Sequence, residues 1–395
     1  MRRIEMPQEA KKIIDKLYAE GYEAYIVGGC VRDNLIGRTP DDYDITTSAP
    51  PEETKRIFER TIDTGIKHGT VTVIENGKPY EVTTFRVDGE YKDNRHPVSI
   101  SFTKNIKDDL ARRDFTVNAL AYNDRVGIVD AFSGLDDLEA GVIRCVRNPE
   151  ERFAEDALRV LRGIRFSSVL DFEIEENTAD AILKFAQNLR YVSSERIYVE
   201  WKKLLSGVKA YEIILRFKEV IDVFISELKD VEVPDRDSFN GLDYVERQVL
   251  LFSACKGQAP ALFAEFAKRI KMDSKTRDTS VSVLNAINEL AFEKNIDVRA
   301  FVIGKSDDVA LMSAKIAAVT GIIKEKDGEA IKRLVREDAP RKISQLDING
   351  NDLLAYGIKG ANVGKILNKI IYLVATAKLA NEKAKIIEFI QSQEK

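Results

Sequence analysis

The chain has little cysteine, histidine or tryptophan, and no long apolar run. Cys30, Cys145 and Cys255 are its three cysteines and stand far apart in 395 residues. They form no disulfide framework and point to a reducing, cytoplasmic setting. His68 and His96 are the two histidines, and both read as structural or loop residues, so no histidine general base stands among the candidates. No stretch approaches the roughly 20 apolar residues of a membrane span. The opening "MRRIEMPQEAKKIIDKL" reads as an amphipathic helix rather than a signal peptide. There is no internal repeat and no low-complexity tract. A net charge of −4 argues against a uniformly basic nucleic-acid coat but leaves room for local basic surfaces. With 44% hydrophobic residues, a chain this long can bury about two to four separate cores.

What is present changes character near residue 145. Before it, "AYIVGG" and "DYDITT" read as short strands and "PPEETKRIFER" as a helix opening on proline. "GTVTVIENGKPYEVTTF" is two β-branched runs around Asn76-Gly77, a hairpin signal. "NALAYNDRVGIVDAF" suggests a second hairpin. Seven of the ten prolines lie at or before Pro149. Beyond that point apolar residues recur at helical spacing, as in "AEDALRVLRGIRFSSVL", "ADAILKFAQNL" and "ERIYVEWKKLLSG". "KDVEVPDRDSFNGLDYVER" reads as an acidic loop within the helical part, and Pro340 marks a boundary before a last helical module. The pattern predicts an α+β head with a mixed sheet, followed by an all-α remainder.

The chemistry concentrates in "IVGGCVRDNLIGRTPDDYDITTSAP", residues 26–50. Residues two apart on a strand share a face, so Asp42 and Asp44 present their carboxylates together. Two like charges that close need a cation between them. Mg²⁺ suits that role because it takes oxygen ligands and shares them with phosphates. Glu81, on the strand after the tight hairpin, is the candidate third carboxylate of a metal clamp for in-line phosphoryl chemistry. An isolated DxD is most often a surface pattern, and an isolated Gly pair is most often a turn. Here Gly28-Gly29 ends a strand and opens a short helix, which lets backbone N–H groups approach phosphate, and Arg32 would face that phosphate from the first turn.

Together "GGCVRD" and "DDYDIT" resemble the signature of the polymerase-β-like nucleotidyltransferases. "DLARRDFTVNALAY" (109–122), "EDALRVLRGIRF" (155–166) and "SSERIYVEWKKLL" (193–205) narrow the resemblance to the class II tRNA nucleotidyltransferase and poly(A) polymerase family. It is dense over residues 20–205, fades to length and helical character beyond, and returns at "LDINGNDLLAYGIKGANVGKIL". The resemblance implies Asp42 and Asp44 as Mg²⁺ ligands, with Gly29 and Arg32 near the triphosphate and Arg113 on the nucleotide. It implies that Asp156 and Arg159 read the base, with Arg162 and Arg165 supporting the nucleotide. It also implies a catalytic head over 1–145, a helical neck over 146–205, a body over 206–339 and a tRNA-binding tail over 340–395. The chemistry implied is template-free addition of C, C and A, from CTP and ATP, to the 3′ end of tRNA.

Members of this family add CCA, only CC, only A, or poly(A). The polar loop containing Asp93, Arg95 and Pro97 favours an enzyme able to add the terminal A, and an A-adding or poly(A)-adding enzyme stays open. Basic surface is expected in the tail: residues 341–385 hold eight Lys/Arg against three Asp/Glu, whereas 227–247 hold three against seven. "GIKGANVGKIL" reads either as a helix N-terminus offered to phosphate or as an ordinary packing turn. Two other classes are weighed. A small-molecule nucleotidyltransferase would have no need of "EDALRVLRGIRF" or the basic tail. A non-catalytic RNA-binding protein would not need Asp42, Asp44 and Arg113 intact. The expected partners are tRNA and the two nucleotides, with no membrane; the oligomeric state stays open, a homodimer included.

Base choice has a hydrogen-bond logic. An ionised Asp only accepts and an Arg only donates. Cytosine and adenine each offer an amino donor beside a ring acceptor, whereas uracil and guanine offer the reverse. Asp156 and Arg159, three apart, would share one helix face. The plainer alternative is a Glu155–Arg159 ion pair on an exposed helix.

Overall fold

The computed structural model describes residues 4–89, 99–292, 297–337 and 340–393. The loop of Asp93, Arg95 and Pro97, with His96, lies outside the described residues. The chain divides into two compact units, Met1–Ser226 and Glu227–Lys395.

The first unit opens with α1 (Gln8–Ala19), whose buried residues Ala10, Ile13, Ile14 and Leu17 recur at helical spacing. Seven strands form its sheet: β1 (Ala24–Val27), β2 (Ile45–Thr47), β3 (Thr61–Gly65), β4 (Thr70–Glu75), β5 (Lys78–Thr84), and, after a small ribbon of β6 (Arg86–Asp88) and β7 (Ile100–Phe102), β8 (Leu120–Asn123) and β9 (Gly127–Asp130). Their order is β3-β4-β5-β2-β1-β8-β9. All neighbours are antiparallel except β2 and β5, which run parallel, so the sheet is mixed, as expected. The hairpin at Asn76-Gly77 has both residues at positive φ, 50° and 77°, the turn whose twist matches its strands. Between the strands lie α2 (Gly29–Leu35), α3 (Pro51–Ile57) and α4 (Ile106–Ala111). Tyr25, Val27, Phe85, Ile106, Leu110, Ala119, Ala121 and Val146 form one core under the β1–β8 strands.

After α5 (Gly134–Ala140) the unit becomes helical: α6 (Pro149–Glu155), α7 (Leu158–Leu170), α8 (Glu176–Phe185) and α9 (Ser194–Leu205). It is not wholly so, because Val142–Ile143 pairs in parallel with Glu173–Ile174. The "EDALRVLRGIRF" segment is not one helix either. Asp156 takes an extended conformation (φ −133°, ψ 105°) between α6 and α7, and its carboxylate accepts the Leu158 N–H at 3.1 Å. A short acid that bonds its own backbone two residues on competes with helix continuation. The chain therefore breaks where the apolar spacing predicts continuity.

Helices α7 and α9 pack without clearance. Ser168 Oγ donates to the Leu204 carbonyl at 2.7 Å, and a Cβ added at Gly207 would fall 2.1 Å from that same oxygen and 2.5 Å from Ser168 backbone atoms. Only glycine fits there.

The second unit is helical in every regular element described. Its first long helix, Tyr244–Ser253, starts from an Asp243/Glu246 capping box, and Phe252, Phe263 and Phe266 stack with centroids 5.0–6.1 Å apart. Toward the C-terminus Leu346, Ile348, Leu353, Ile358, Leu367 and Ile370 build a separate small core. Among the described residues no helix is long and apolar enough to cross a membrane.

Candidate active site

The site forms where β1 runs out. Gly28 stands at φ 81°, ψ −128° before α2, a region closed to residues with a side chain. The close approach also demands glycine, since a Cβ there would lie 2.9 Å from the Arg113 guanidinium. The Val27 N–H donates to the Asp44 carbonyl at 3.0 Å, which extends β1–β2 pairing back to the carboxylate segment. The expected strand is shorter than its sequence pattern: in "DDYDITT" it begins only at Ile45, so Asp42 and Asp44 precede it rather than sharing its face, and both side chains are open to solvent. The parallel register pairs Ile45 with Val82, so Asp44 stands beside Glu81 one step back.

An arginine-walled cleft of about 520 Å³ contains Gly28, Gly29, Arg32, Asp42, Asp44, Arg113, Arg162 and Arg165 among its lining. Arg32 is held by Asp33 at 2.9 and 3.0 Å and donates to the Asn118 side chain. Asn118 in turn donates to Asp114 at 3.1 Å. Asp114 receives Arg162 through two nitrogens, at 2.7 and 2.6 Å. Arg162 also reaches Glu200 on α9 at 3.8 Å, and Glu200 accepts Arg165 Nε at 2.8 Å. One relay of hydrogen bonds and ion pairs thus runs from α2 to α9. Phe166 is its centre, with the guanidinium carbons of Arg32, Arg162 and Arg165 lying 5.1, 5.2 and 3.4 Å from its ring centroid.

These groups perturb one another. Burial opposes the Asp114 charge, but Arg162, the Asn118 hydrogen bond and Arg159 outweigh it and hold the carboxyl well below the usual range. Burial likewise works against Arg162, and Asp114 and Glu200 reverse the direction and raise it. Arg113 is lowered, chiefly by burial, with Asp109 opposing. Among the described residues its Nε is buried without a hydrogen-bond partner, and its ion pair to Asp109 is long at 3.5 Å. A cation so loosely satisfied is ready to take an anionic ligand. Asp44 moves the other way: desolvation by the cleft walls first, then the Asp42 charge, push it up to about 6, with Arg113 opposing and Glu81 adding to the rise.

Asp156 and Arg159 make no hydrogen bond to this relay among the described residues, although the Arg159 charge helps hold Asp114 down. Asp156 accepts Arg196 at 2.8 Å. Arg159, mostly buried, pairs with Glu155 at 2.8 Å and donates to the Arg112 carbonyl at 2.9 Å. The plainer sequence alternative, the Glu155–Arg159 pair, is thus present; Asp156 and Arg159 meet through the backbone, the Arg159 N–H donating to the Asp156 carbonyl at 3.0 Å, and among the described residues their side chains are not hydrogen-bonded to each other. Sequence reasoning missed Asp109, Asp114, Asn118, Phe166 and Glu200. All five sit inside the motifs already quoted, Glu200 in "SSERIYVEWKKLL" four residues after Arg196. An i,i+4 spacing of acid and arginine, as in Asp109–Arg113, was the available signal.

Two carboxylates beside a third strand's acid, facing a cleft of arginines on a mixed sheet, define a nucleotidyltransferase. Comparison with known proteins supports this. Residues 24–144 match the poly A polymerase head domain, 171–220 the probable RNA- and SrmB-binding site of polymerase A, and 242–390 a putative tRNA nucleotidyltransferase domain 2. The CCA-adding enzyme of Streptococcus mutans is 37% identical, covering 98% of this chain and 97% of its own. That of Ligilactobacillus salivarius is 37% identical with 97% and 96% covered. The Bacillus stearothermophilus CCA-adding enzyme in complex with CTP superposes with a TM-score of 0.78 at 33% identity over 98% of both chains. The chain belongs to the CCA-adding enzyme family.

Proposed function

We propose that the protein adds C, C and A to the 3′ end of tRNA from CTP and ATP without a template. The observation that carries this reading is full-length kinship with CCA-adding enzymes in a chain whose own cleft joins the Asp42/Asp44 pair to the arginine relay. In each step the RNA 3′-hydroxyl gives up its proton to water as its oxygen bonds to the α-phosphorus, the bond from the α-phosphorus to the α–β bridging oxygen breaks, and pyrophosphate leaves.

The residues take separate parts. Arg32, Arg113, Arg162 and Arg165 bind and orient the triphosphate, as the planar, always-charged guanidinium suits; the relay through Asp114 and Glu200 fixes Arg32, Arg162 and Arg165 before nucleotide arrives, while Arg113 is more loosely held by Asp109. Gly28 and Gly29 let the chain approach the phosphates. Asp42 and Asp44 would hold Mg²⁺. Among the described residues no three His, Cys, Asp or Glu converge to hold a metal by themselves. Two carboxylates nevertheless fit a hard cation that completes its shell with phosphate oxygens and water, and the raised Asp44 marks negative charge that a cation would relieve. Bound there, Mg²⁺ supplies Lewis-acid polarisation of the phosphoryl oxygens. Glu81 adds a third negative charge alongside. Asp156 and Arg159 select the base, exchanging Arg196 and Glu155 for the paired donor and acceptor of cytosine or adenine. We take residues 1–145 as catalytic head, 146–205 as neck, 206–339 as body and 340–395 as tRNA-binding tail, and place the reaction in the cytoplasm, where buried Cys30 and Cys145 would stay reduced.

The test is incubation of the protein with tRNA ending before CC, ending before A, or complete, supplying one labelled nucleotide at a time. CMP should enter only the first and AMP only the second. Addition of A alone would narrow the activity to A addition, and failure of any nucleotide to enter would leave only RNA binding.

A further inference from the structure

The four arginines of the cleft are each already matched by an acid. Arg32 pairs with Asp33 at 2.9 Å, Arg113 with Asp109 at 3.5 Å, Arg162 with Asp114 at 2.6 Å and Arg165 with Glu200 at 2.8 Å. They can orient phosphate oxygens, but with their acids they bring no net positive charge. Asp41, Asp42 and Asp44, which share the lining, add negative charge. Two further cations line the same cleft, Arg38 and Lys203, and neither is ion-paired among the described residues. The uncompensated positive charge of the cleft is theirs.

Both lie one helical turn beyond the relay. Arg38 donates to the carbonyl of Val169 at 3.1 Å, four residues past Arg165 on α7, and Lys203 stands three residues past Glu200 on α9, spacings that keep to one helix face. The Arg38 backbone is itself anchored, its N–H donating to the Asp33 carbonyl at 2.8 Å. A guanidinium has several N–H donors, so one bond to a carbonyl leaves most of the fork for an anion. Asp156 and Arg159 stand at the opposite end of α7 and outside this lining. The helix rises roughly 15 Å between Arg159 and Val169, room for an extended nucleotide. With the base read at that end and the α-phosphorus held at Asp42 and Asp44, the last phosphate falls at the Arg38 end. We propose that Arg38 and Lys203 bind the terminal γ-phosphate of the incoming nucleotide, and that through them the enzyme tells a triphosphate from a diphosphate. The inference rests on the proposed function.

Calorimetric binding of CTP and of CDP, each with Mg²⁺ at fixed ionic strength and without tRNA, tests it. The parent should bind CTP at least about tenfold more tightly than CDP, the scale of one charge-assisted contact; equal affinity overturns the proposal whatever the variants do. In Arg38→Gln and in Lys203→Gln the Kd for CTP should rise about tenfold while that for CDP moves by less than about twofold. Both side chains are exposed, so neither change empties a core. Lys203→Arg, which keeps the charge, should bind CTP within about threefold of the parent. An unchanged CTP affinity in the glutamine variants, an equal loss for CDP, or no recovery with arginine overturns the proposal. Failure of the parent to extend tRNA would instead defeat the functional reading itself.

Discussion

Replacing Asp44 by asparagine should abolish nucleotide addition and stabilise the metal-free protein at the same time. The Asp44 carboxyl is raised from 3.8 to about 6 by desolvation and by the neighbouring Asp42 charge. A shift of that size corresponds at face value to about 3 kcal/mol of penalty on the ionised form. Because the side chain is open to the cleft water, screening reduces this to about 1 kcal/mol. In a unit of this size that amounts to a melting-temperature gain of about 2–4 °C. The sign follows from proton binding. Between 3.8 and about 6 the unfolded chain has already released a proton that the folded protein keeps, so the parent loses stability as pH rises through that window. Asparagine carries no such penalty, so its advantage should be largest at about pH 7.5 and shrink steadily toward pH 4. Calorimetry without divalent cations, repeated with Mg²⁺, reads both effects, and Mg²⁺ should raise the parent's melting temperature more than the variant's. A variant no more stable than the parent near neutral pH would refute the charge argument. Retention of more than about a hundredth of the parent's incorporation rate would refute the metal role, since a metal-assisted step depends on that ligand.

Gly28→Ala forces a side chain into positive φ against Arg113, and should cost roughly 1–3 kcal/mol and raise the nucleotide KM; urea denaturation and steady-state kinetics check the two parts. Arg162→Met leaves the buried Asp114 carboxylate without its two-nitrogen partner and should destabilise by roughly 3–5 kcal/mol near neutral pH. Because Asp114 is depressed in the folded parent, the parent's advantage should be lost as pH falls below the usual carboxylate range, which denaturation at stepped pH will show. Asp156→Ala or Arg159→Ala should admit UTP or GTP as CTP and ATP incorporation falls. Variants that stay active and still refuse both would place base reading elsewhere.

The hairpin at Asn76-Gly77 and the glycine turn before α2 were legible because local stereochemistry dictates them: positive φ selects Gly or Asn. The DxD pair was legible as two nearby acids, but strand alternation does not place it, since β2 begins only at Ile45. The helix break at Asp156 was not legible: apolar spacing runs through it unbroken, and only the side chain's bond to the Leu158 N–H reveals the competition. The buried acids were hidden for a different reason. Asp114 and Glu200 look in sequence like solvated charges on helical segments. Their role depends on arginines that fold topology, not spacing, brings to them: Arg162 is 48 residues from Asp114 and Arg165 is 35 from Glu200.

The fit at Gly207 has a mechanical consequence. With its backbone pressed on Ser168, and Glu200 gripping Arg165, helix α9 cannot slide along α7 without prising open the contact, so the two behave as one lever. A site that must accept C twice and then A needs some adjustment of shape. That adjustment cannot come from shear between these helices. An adjustment that leaves this contact intact carries Arg162, Arg165 and Glu200 together.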